Sequence, residues 1–198
     1  MSAENLWAFC VFAFVSSITP GPNNLMLLAS GVNFGLRATL PHILGIAVGF
    51  ALLLLAVGLG LAALFQQWPL AYSVLKWAGA AYLLYLAWAI ARSGSPQARE
   101  QARPMGFTSA AAFQWVNPKA WIMGVSAFTT YLPAQSFLNV AQVALLFALI
   151  NAPCLSCWAL MGSRLRRWMA QGQRQRLFNL LMGGLLVLSL WPLLGAKL

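Results

Sequence analysis

The stretch SSITPGPNNLMLL, Ser16 to Leu28, interrupts an apolar run from Leu6 to Gly31 with two prolines, a glycine and two asparagines. Proline lacks a backbone N–H and clashes with the carbonyl one turn back, so Pro20 and Pro22 should open the helix over about one turn. Gly21 between them lets the backbone bend. In hydrocarbon each unpaired peptide group costs several kcal/mol, so an opened helix persists only where it is buried in protein or lines a wet cavity. The stretch therefore predicts a cavity or a packed partner, provided the run lies in a membrane.

The composition puts it there. The chain of 198 residues is 61% hydrophobic and 7% charged, against about 45–50% and about 25% in soluble domains. From Ile43 to Phe65 there is no charged residue, enough for a helix to cross a bilayer core of about 30 Å. Similar runs lie near Leu70–Ile90, Leu138–Leu160 and Leu177–Leu194, with interrupted ones at Leu6–Gly31 and Phe107–Tyr131. The expected fold class is an all-α integral membrane protein of six transmembrane helices, four continuous and two broken. Glu4 precedes the first run, no Lys or Arg does, and no clean small-residue cleavage site follows. A removable signal peptide is therefore not expected.

The net charge of +10 does not point to nucleic acid, because the basic residues sit in connecting segments. Arg37 follows the first run, Arg92, Arg99 and Arg103 the third, and Arg164, Arg166, Arg167, Arg174 and Arg176 the fifth. The segments near Gln66–Gln67 and Pro133–Ser136 have none. Short Lys/Arg-rich loops stay cytoplasmic, which places both termini outside, although Lys197 opposes that orientation. The expected partner of this charge is the anionic leaflet. Cys10, Cys154 and Cys157 fall within predicted spans, where a thiol behaves as a small apolar group.

The segment RSGSPQAREQARP, Arg92 to Pro104, divides the chain. It predicts a single transmembrane domain over 1–198 with halves 1–91 and 107–198 and a linker at 92–106. Three spans per half make the halves enter the membrane in opposite senses, a 3+3 inverted repeat. The first span of each half is broken, the fourth at QWVNPKAW, Gln114 to Trp121, and paired Pro/Gly interruptions point to a transporter's binding site.

The candidate residues follow from the chemistry of an opened helix. Asn23 and Asn24 are suited to cap a new half-helix, whose N-terminus attracts a carboxylate. The other end frees carbonyls, with the Thr19 hydroxyl beside them, for an ammonium group. Together these suit a zwitterion. Asn117, Pro118 and Lys119 repeat the pattern, and an ionisable group inside a span is a functional candidate; the alternative for Lys119 is snorkelling to the interface. NAPCLSCWALMG, Asn151 to Gly162, adds a third polar interruption. The candidate substrate-binding set is thus Thr19, Pro20, Gly21, Pro22, Asn23, Asn24, Asn117, Pro118, Lys119 and Asn151, with no catalytic residue, metal or cofactor expected. Cys154 and Cys157 form a C-x-x-C without a second ligand pair. Trp115 and Trp121 read as interface anchors or packing residues. His42, at the start of the second span, reads as an interface residue rather than a proton relay. Gly45/Gly49 and Gly31/Gly35 are G-x-x-x-G pairs, the first explained by close helix packing, and surface glycines would allow a homodimer.

With these residues on the page, TPGPNNLMLLASGVNFG, KWAGAAYLLYLAWAI at Lys76–Ile90 and FQWVNPKAWIMG at Phe113–Gly124 resemble the lysine exporter family of bacterial amino-acid efflux proteins, which includes homoserine/threonine exporters. The double asparagine, the WAGAAY segment and CWAL at Cys157–Leu160 look most like the cysteine/O-acetylserine branch. The resemblance implies a multi-pass inner-membrane secondary exporter of small neutral amino acids, not an enzyme, driven by the proton gradient. Its motifs carry over to Thr19, Pro20, Gly21, Pro22, Asn23, Asn117, Pro118 and Lys119. Only two acidic residues occur, Glu4 and Glu100, so a proton would have to use His42, Lys119 or the substrate. The competing expectations are a membrane thiol-redox carrier using Cys10, Cys154 and Cys157, and a scaffold that transports nothing.

Overall fold

A computed structural model describes residues 3–61, 63, 67–93, 103–131, 136–169 and 172–191. All the elements among these residues are helical. In chain order they are α1 (Ala3–Ile18), α2 (Pro22–Phe34), α3 (Leu36–Ala56, continued by a wide turn at Val57–Leu61), α4 (Pro69–Arg92), α5 (Phe107–Phe113), α6 (Pro118–Ser126, continued by a second wide turn at Ala127–Tyr131), α7 (Phe137–Met169) and α8 (Gly172–Leu188). Three of the helices are long and apolar enough to cross a bilayer: Leu36–Leu61, Ser73–Arg92 and Phe137–Met169, with mean hydropathies of 2.6, 1.4 and 2.0. Exposed apolar side chains such as Leu44, Leu145 and Leu149 stand on these helices, as a hydrocarbon environment allows.

The expected breaks are present. Helix α1 stops at Ile18, and α2 restarts with Pro22 at its first position after Gly21 in extended backbone. This is where a fixed φ and a missing N–H cost nothing. At 13 and 16 residues, α2 and α1 reach only about 20 and 24 Å, so neither crosses a bilayer core alone. In the second half α5 passes into a tight turn at Gln114–Val116, Asn117 is extended, and α6 begins at Pro118.

Helix α2 is the axis of the molecule. Its residues Leu25 to Val32 are all buried, so the helix is packed on every side, its polar residues included. It meets α7 backbone to backbone: a Cβ on Gly31 would strike the Ala159 carbonyl oxygen, and one on Gly162 the Leu28 carbonyl oxygen. On α3, Gly45 and Gly49 lie in the same way against Phe107 and Ala111 of α5. These glycines are therefore consumed inside the chain and are not the surface on which a second copy could dock. Gly35 is not a packing residue: its φ of 85° makes the reversal from α2 into α3, a conformation that favours glycine.

Three clusters form the core. One joins Phe9, Phe50, Phe128 and Phe147, with Phe50 and Phe147 edge to face at 5.0 Å. The second sets Leu25, Met26 and Val32 of α2 against Leu83 of α4 and Phe178 and Leu186 of α8. The third, with Leu27, Ile46, Ala110 and Leu155, ties α2, α3, α5 and α7 together. Both breaks lie among these helices.

One further expectation is corrected: His42, read as an interface residue, is 2% exposed inside the protein. Trp121 takes the packing role, the other of its two readings: it is buried, and its indole N–H donates to the Trp115 carbonyl at 2.8 Å, spanning the second break.

Candidate functional site at two helix breaks

Ending α1 early releases carbonyls, and those of Ser17, Ile18, Thr19 and Pro20 are met by side chains from other elements. Asn24 Nδ2 donates to the Ser17 carbonyl at 2.8 Å and the Thr19 carbonyl at 2.9 Å. The Trp158 indole of α7 reaches the Ile18 carbonyl at 3.1 Å. Lys119 Nζ, from α6, donates to the Thr19 carbonyl at 2.6 Å and the Pro20 carbonyl at 3.4 Å. Lys119 is thus turned toward the first break rather than snorkelling away from it. Gly21 makes this approach feasible, since a Cβ there would lie 2.7 Å from Lys119 Cδ.

The breaks are also joined by their amides. Asn23 Nδ2 donates to Gln114 Oε1 at 2.8 Å, Gln114 Nε2 returns a bond to Asn23 Oδ1 at 3.1 Å, and also donates to the Ala110 carbonyl. At the second break Asn117 Oδ1 accepts from the Lys119 backbone N–H at 3.2 Å, a conventional N-cap.

The expected capping of α2 by Asn23 or Asn24 does not occur: no side chain caps α2. Both asparagines lie inside the helix, beyond its capping position, and turn their amides outward to other elements. The Thr19 hydroxyl is likewise not turned to the break; it donates to the Val15 carbonyl at 2.5 Å, since a threonine at a helix end can satisfy itself on the preceding turn.

Between the breaks is a cavity of about 20 Å³ bordered by Ser17, Gly21, Asn23, Asn24, Asn117 and Lys119, among others. Asn151, from α7, also lines it. The structure thus gathers Gly21, Asn23, Asn24, Asn117, Lys119 and Asn151 on one cavity. Thr19 and Pro20 contribute carbonyls at its edge, and Pro22 and Pro118 open the helices that bound it. The volume suits one water and is too small for an amino acid. Ser17 Oγ is buried with no hydrogen-bond partner while lining this space, so the cavity holds an unmet polar group. Ser17 and Gln114 are the residues that the sequence reading missed. Gln114 lies in the quoted QWVNPKAW motif, but its pairing with Asn23 depends on the packing of α2 against α5.

The fold and site define a helical membrane protein with two helix breaks joined to one another by side chains, the kind of interruption that marks the binding sites of solute-moving proteins. The chain belongs to the LysE type translocator family, whose model matches residues 14–190. It is 36% identical over 190 residues to the cysteine/O-acetylserine efflux proteins of Escherichia coli strain K12 and Shigella sonnei strain Ss046, covering 94% of this chain and 96% of each relative. The protein of that name from Shigella flexneri is 37% identical over 185 residues, 92% of this chain and 93% of the relative. No solved structure matches the chain.

Proposed function

We propose that this protein is a secondary active exporter of small neutral amino acids or their derivatives, of the cysteine/O-acetylserine type before the homoserine/threonine type, coupled to protons in the bacterial inner membrane. Family membership and the names of its relatives support the substrate class. The proposed architecture is one domain over 1–198 with six spans arranged 3+3 and inverted, α1 and α2 forming the first span and α5 and α6 the fourth. Its arginine-rich segments face the cytoplasm. A homodimer, if formed, would use a face other than the Gly45/Gly49 pair.

The observation that carries the mechanism is the Lys119 ammonium on the Thr19 and Pro20 carbonyls. A primary ammonium already sits where the sequence predicts that of a zwitterion. The small cavity beside it supports reading this as a closed form. A substrate enters when Lys119 leaves those carbonyls and its own ammonium takes them. Its carboxylate then meets the uncapped N-terminus of α2 and the displaced Lys119. A site built mainly from backbone groups fixes the two ends of the zwitterion and leaves the side chain room to vary.

Efflux from vesicles tests this reading. Pro20→Ala and Asn117→Ala variants, inserted at parental levels, should lose most transport of labelled cysteine and threonine. Parental rates in both would overturn the site, and the absence of amino-acid transport by the parent would overturn the function.

A further inference from the structure

A second and much larger space lies away from the breaks. It is an open cleft of about 800 Å³ between α2, α3, α4 and the segment leading into α5. Its α2 wall is formed by Met26, Ser30 and Asn33, which continue the helical face that begins at Asn23, since residues three and four apart share a face. The cleft therefore leads along α2 toward the Asn23–Gln114 pair, of which Asn23 also borders the small cavity.

His42 lines this cleft. It is the chain's only histidine, 2% exposed, and neither Nδ1 nor Nε2 has a hydrogen-bond partner. A buried polar side chain is ordinarily paired, and the neighbouring ones are: Ser30 and Thr39 share a hydroxyl bond at 2.9 Å, and Asn33, Gln175 and Asn179 form a closed amide cluster. The other titratable or charged groups lining the cleft are Tyr82, Tyr85 and Arg92 of α4 and Arg103 ahead of α5. No acidic side chain is among the lining residues, and none of the cysteines or arginines of α7 is.

We infer that His42 is the proton-binding group of the transport cycle and that the cleft is its route to solvent on the arginine-bearing face. The inference rests on the exporter reading above. A neutral imidazole carries a single acceptor lone pair. A proton taken from water in the cleft occupies that lone pair and gives imidazolium. The positive imidazolium repels a substrate ammonium moving through the cleft toward the Thr19 and Pro20 carbonyls, so the proton must return to water before the substrate is held. Proton and substrate then occupy the protein alternately, which is the exclusion that antiport demands. Lys119 and His42 divide the work: Lys119 is engaged by backbone carbonyls, whereas the imidazole has no hydrogen-bond partner.

The experiment uses the full chain in detergent, weakly buffered at mildly acidic pH with an indicator dye, and O-acetyl-L-serine or L-threonine as the probe. Binding, followed separately by thermal shift, should release up to about one proton per protein, and His42→Gln should bind without release. In vesicles His42→Gln should lower proton-gradient-driven accumulation about tenfold or more, a loss of coupling worth about 1.4 kcal/mol or more, while amino-acid exchange stays within about twofold of the parent. Proton uptake, no release by the parent, or a variant that keeps gradient-driven transport would overturn the assignment. So would loss of exchange together with coupling, which marks a structural role. If His42→Gln does not fold, the parent decides alone: its single imidazole, labelled with ¹⁵N, must change from the protonated to the neutral pattern on adding the probe, and an unchanged pattern refutes the inference. A parent that neither binds nor exchanges any amino acid would instead remove the exporter reading itself.

Discussion

The two breaks look alike in sequence and are held together differently. The second is a local structure: the Asn117 side chain caps α6, its backbone N–H bonds the Gln114 carbonyl, and Trp121 returns to Trp115 and Asn117. All these partners lie within eight residues of sequence. The first break has one such local clasp, Asn24 on the Ser17 and Thr19 carbonyls, and is completed from afar by Trp158 of α7 and Lys119 of α6. A locally closed turn keeps its shape when its neighbours move. A turn closed by distant side chains opens when one of them leaves. The second break is thus the fixed element and the first the one that changes, with Lys119 as the joint between them.

The largest effect should come from cutting that joint. Lys119→Met keeps the length of the stem and removes the donor, leaving the Thr19 and Pro20 carbonyls without their charged partner. Hydrogen bonds to charged groups contribute about 1.5–3 kcal/mol, so thermal unfolding should fall by several degrees and efflux should be lost. Lys119→Arg should recover part of both. Unchanged efflux in Lys119→Met would end the description of the first break as lysine-closed.

A smaller effect tests the fit rather than the charge. Gly21 has a φ of −174°, ordinary extended backbone, so Gly21→Ala introduces no strain of its own. Its methyl would sit 2.7 Å from Lys119 Cδ, and the lysine must shift. Efflux should fall by about tenfold, equivalent to about 1.4 kcal/mol at the site, and the double variant with Lys119→Met should be no worse than Lys119→Met alone. Additive losses would show that Gly21 matters for a reason other than the lysine.

Removing the cap at the fixed break should cost less in stability than cutting the joint. Asn117→Ala deletes one capping bond, about 1 kcal/mol, visible as a lower unfolding temperature. Because α6 also carries Lys119, the same change should loosen the closure at Thr19, and transport should fall further than the stability loss alone would give. Hydrogen exchange at residues 19 to 24 should then accelerate. Protection unchanged there would show the two breaks to be independent.

What the sequence reveals and what it hides divide along the same line. Pro20, Pro22 and Pro118 announce both breaks because a missing N–H acts on the chain's own preceding turn, wherever the helix is packed. Asn117 is legible for the same reason, as a cap acts two residues on. The Asn23–Gln114 pair, the indole of Trp158 on Ile18 and the vacant hydroxyl of Ser17 depend on which helices meet, and no local pattern carries that. Asn24 misleads because its favoured role as a cap is outweighed by two carbonyls that only the folded chain presents. His42 misleads likewise: its position at the start of a hydrophobic run suggests an interface, whereas α3 buries it against the cleft.

The smallest effect belongs to the cysteines, and it separates the broken helices from the thiols as the working parts. Cys154 and Cys157 lie three residues apart on α7, the first buried and the second exposed; Cys10 is on α1, and all three are free thiols. Residues at that spacing share a helix face, but Lys119, Asn23 and Gln114 join the breaks without any sulfur. Replacing the three cysteines together with serine puts a hydroxyl at buried position 154, which costs about 1–3 kcal/mol unless it bonds back to the preceding turn. Efflux of labelled threonine should nevertheless remain within about twofold of the parent when equal amounts are inserted. A carrier of reducing equivalents would lose all activity in that variant, because exchange needs a thiolate. Complete loss with normal insertion would therefore move the function from the two breaks to the thiols on α1 and α7.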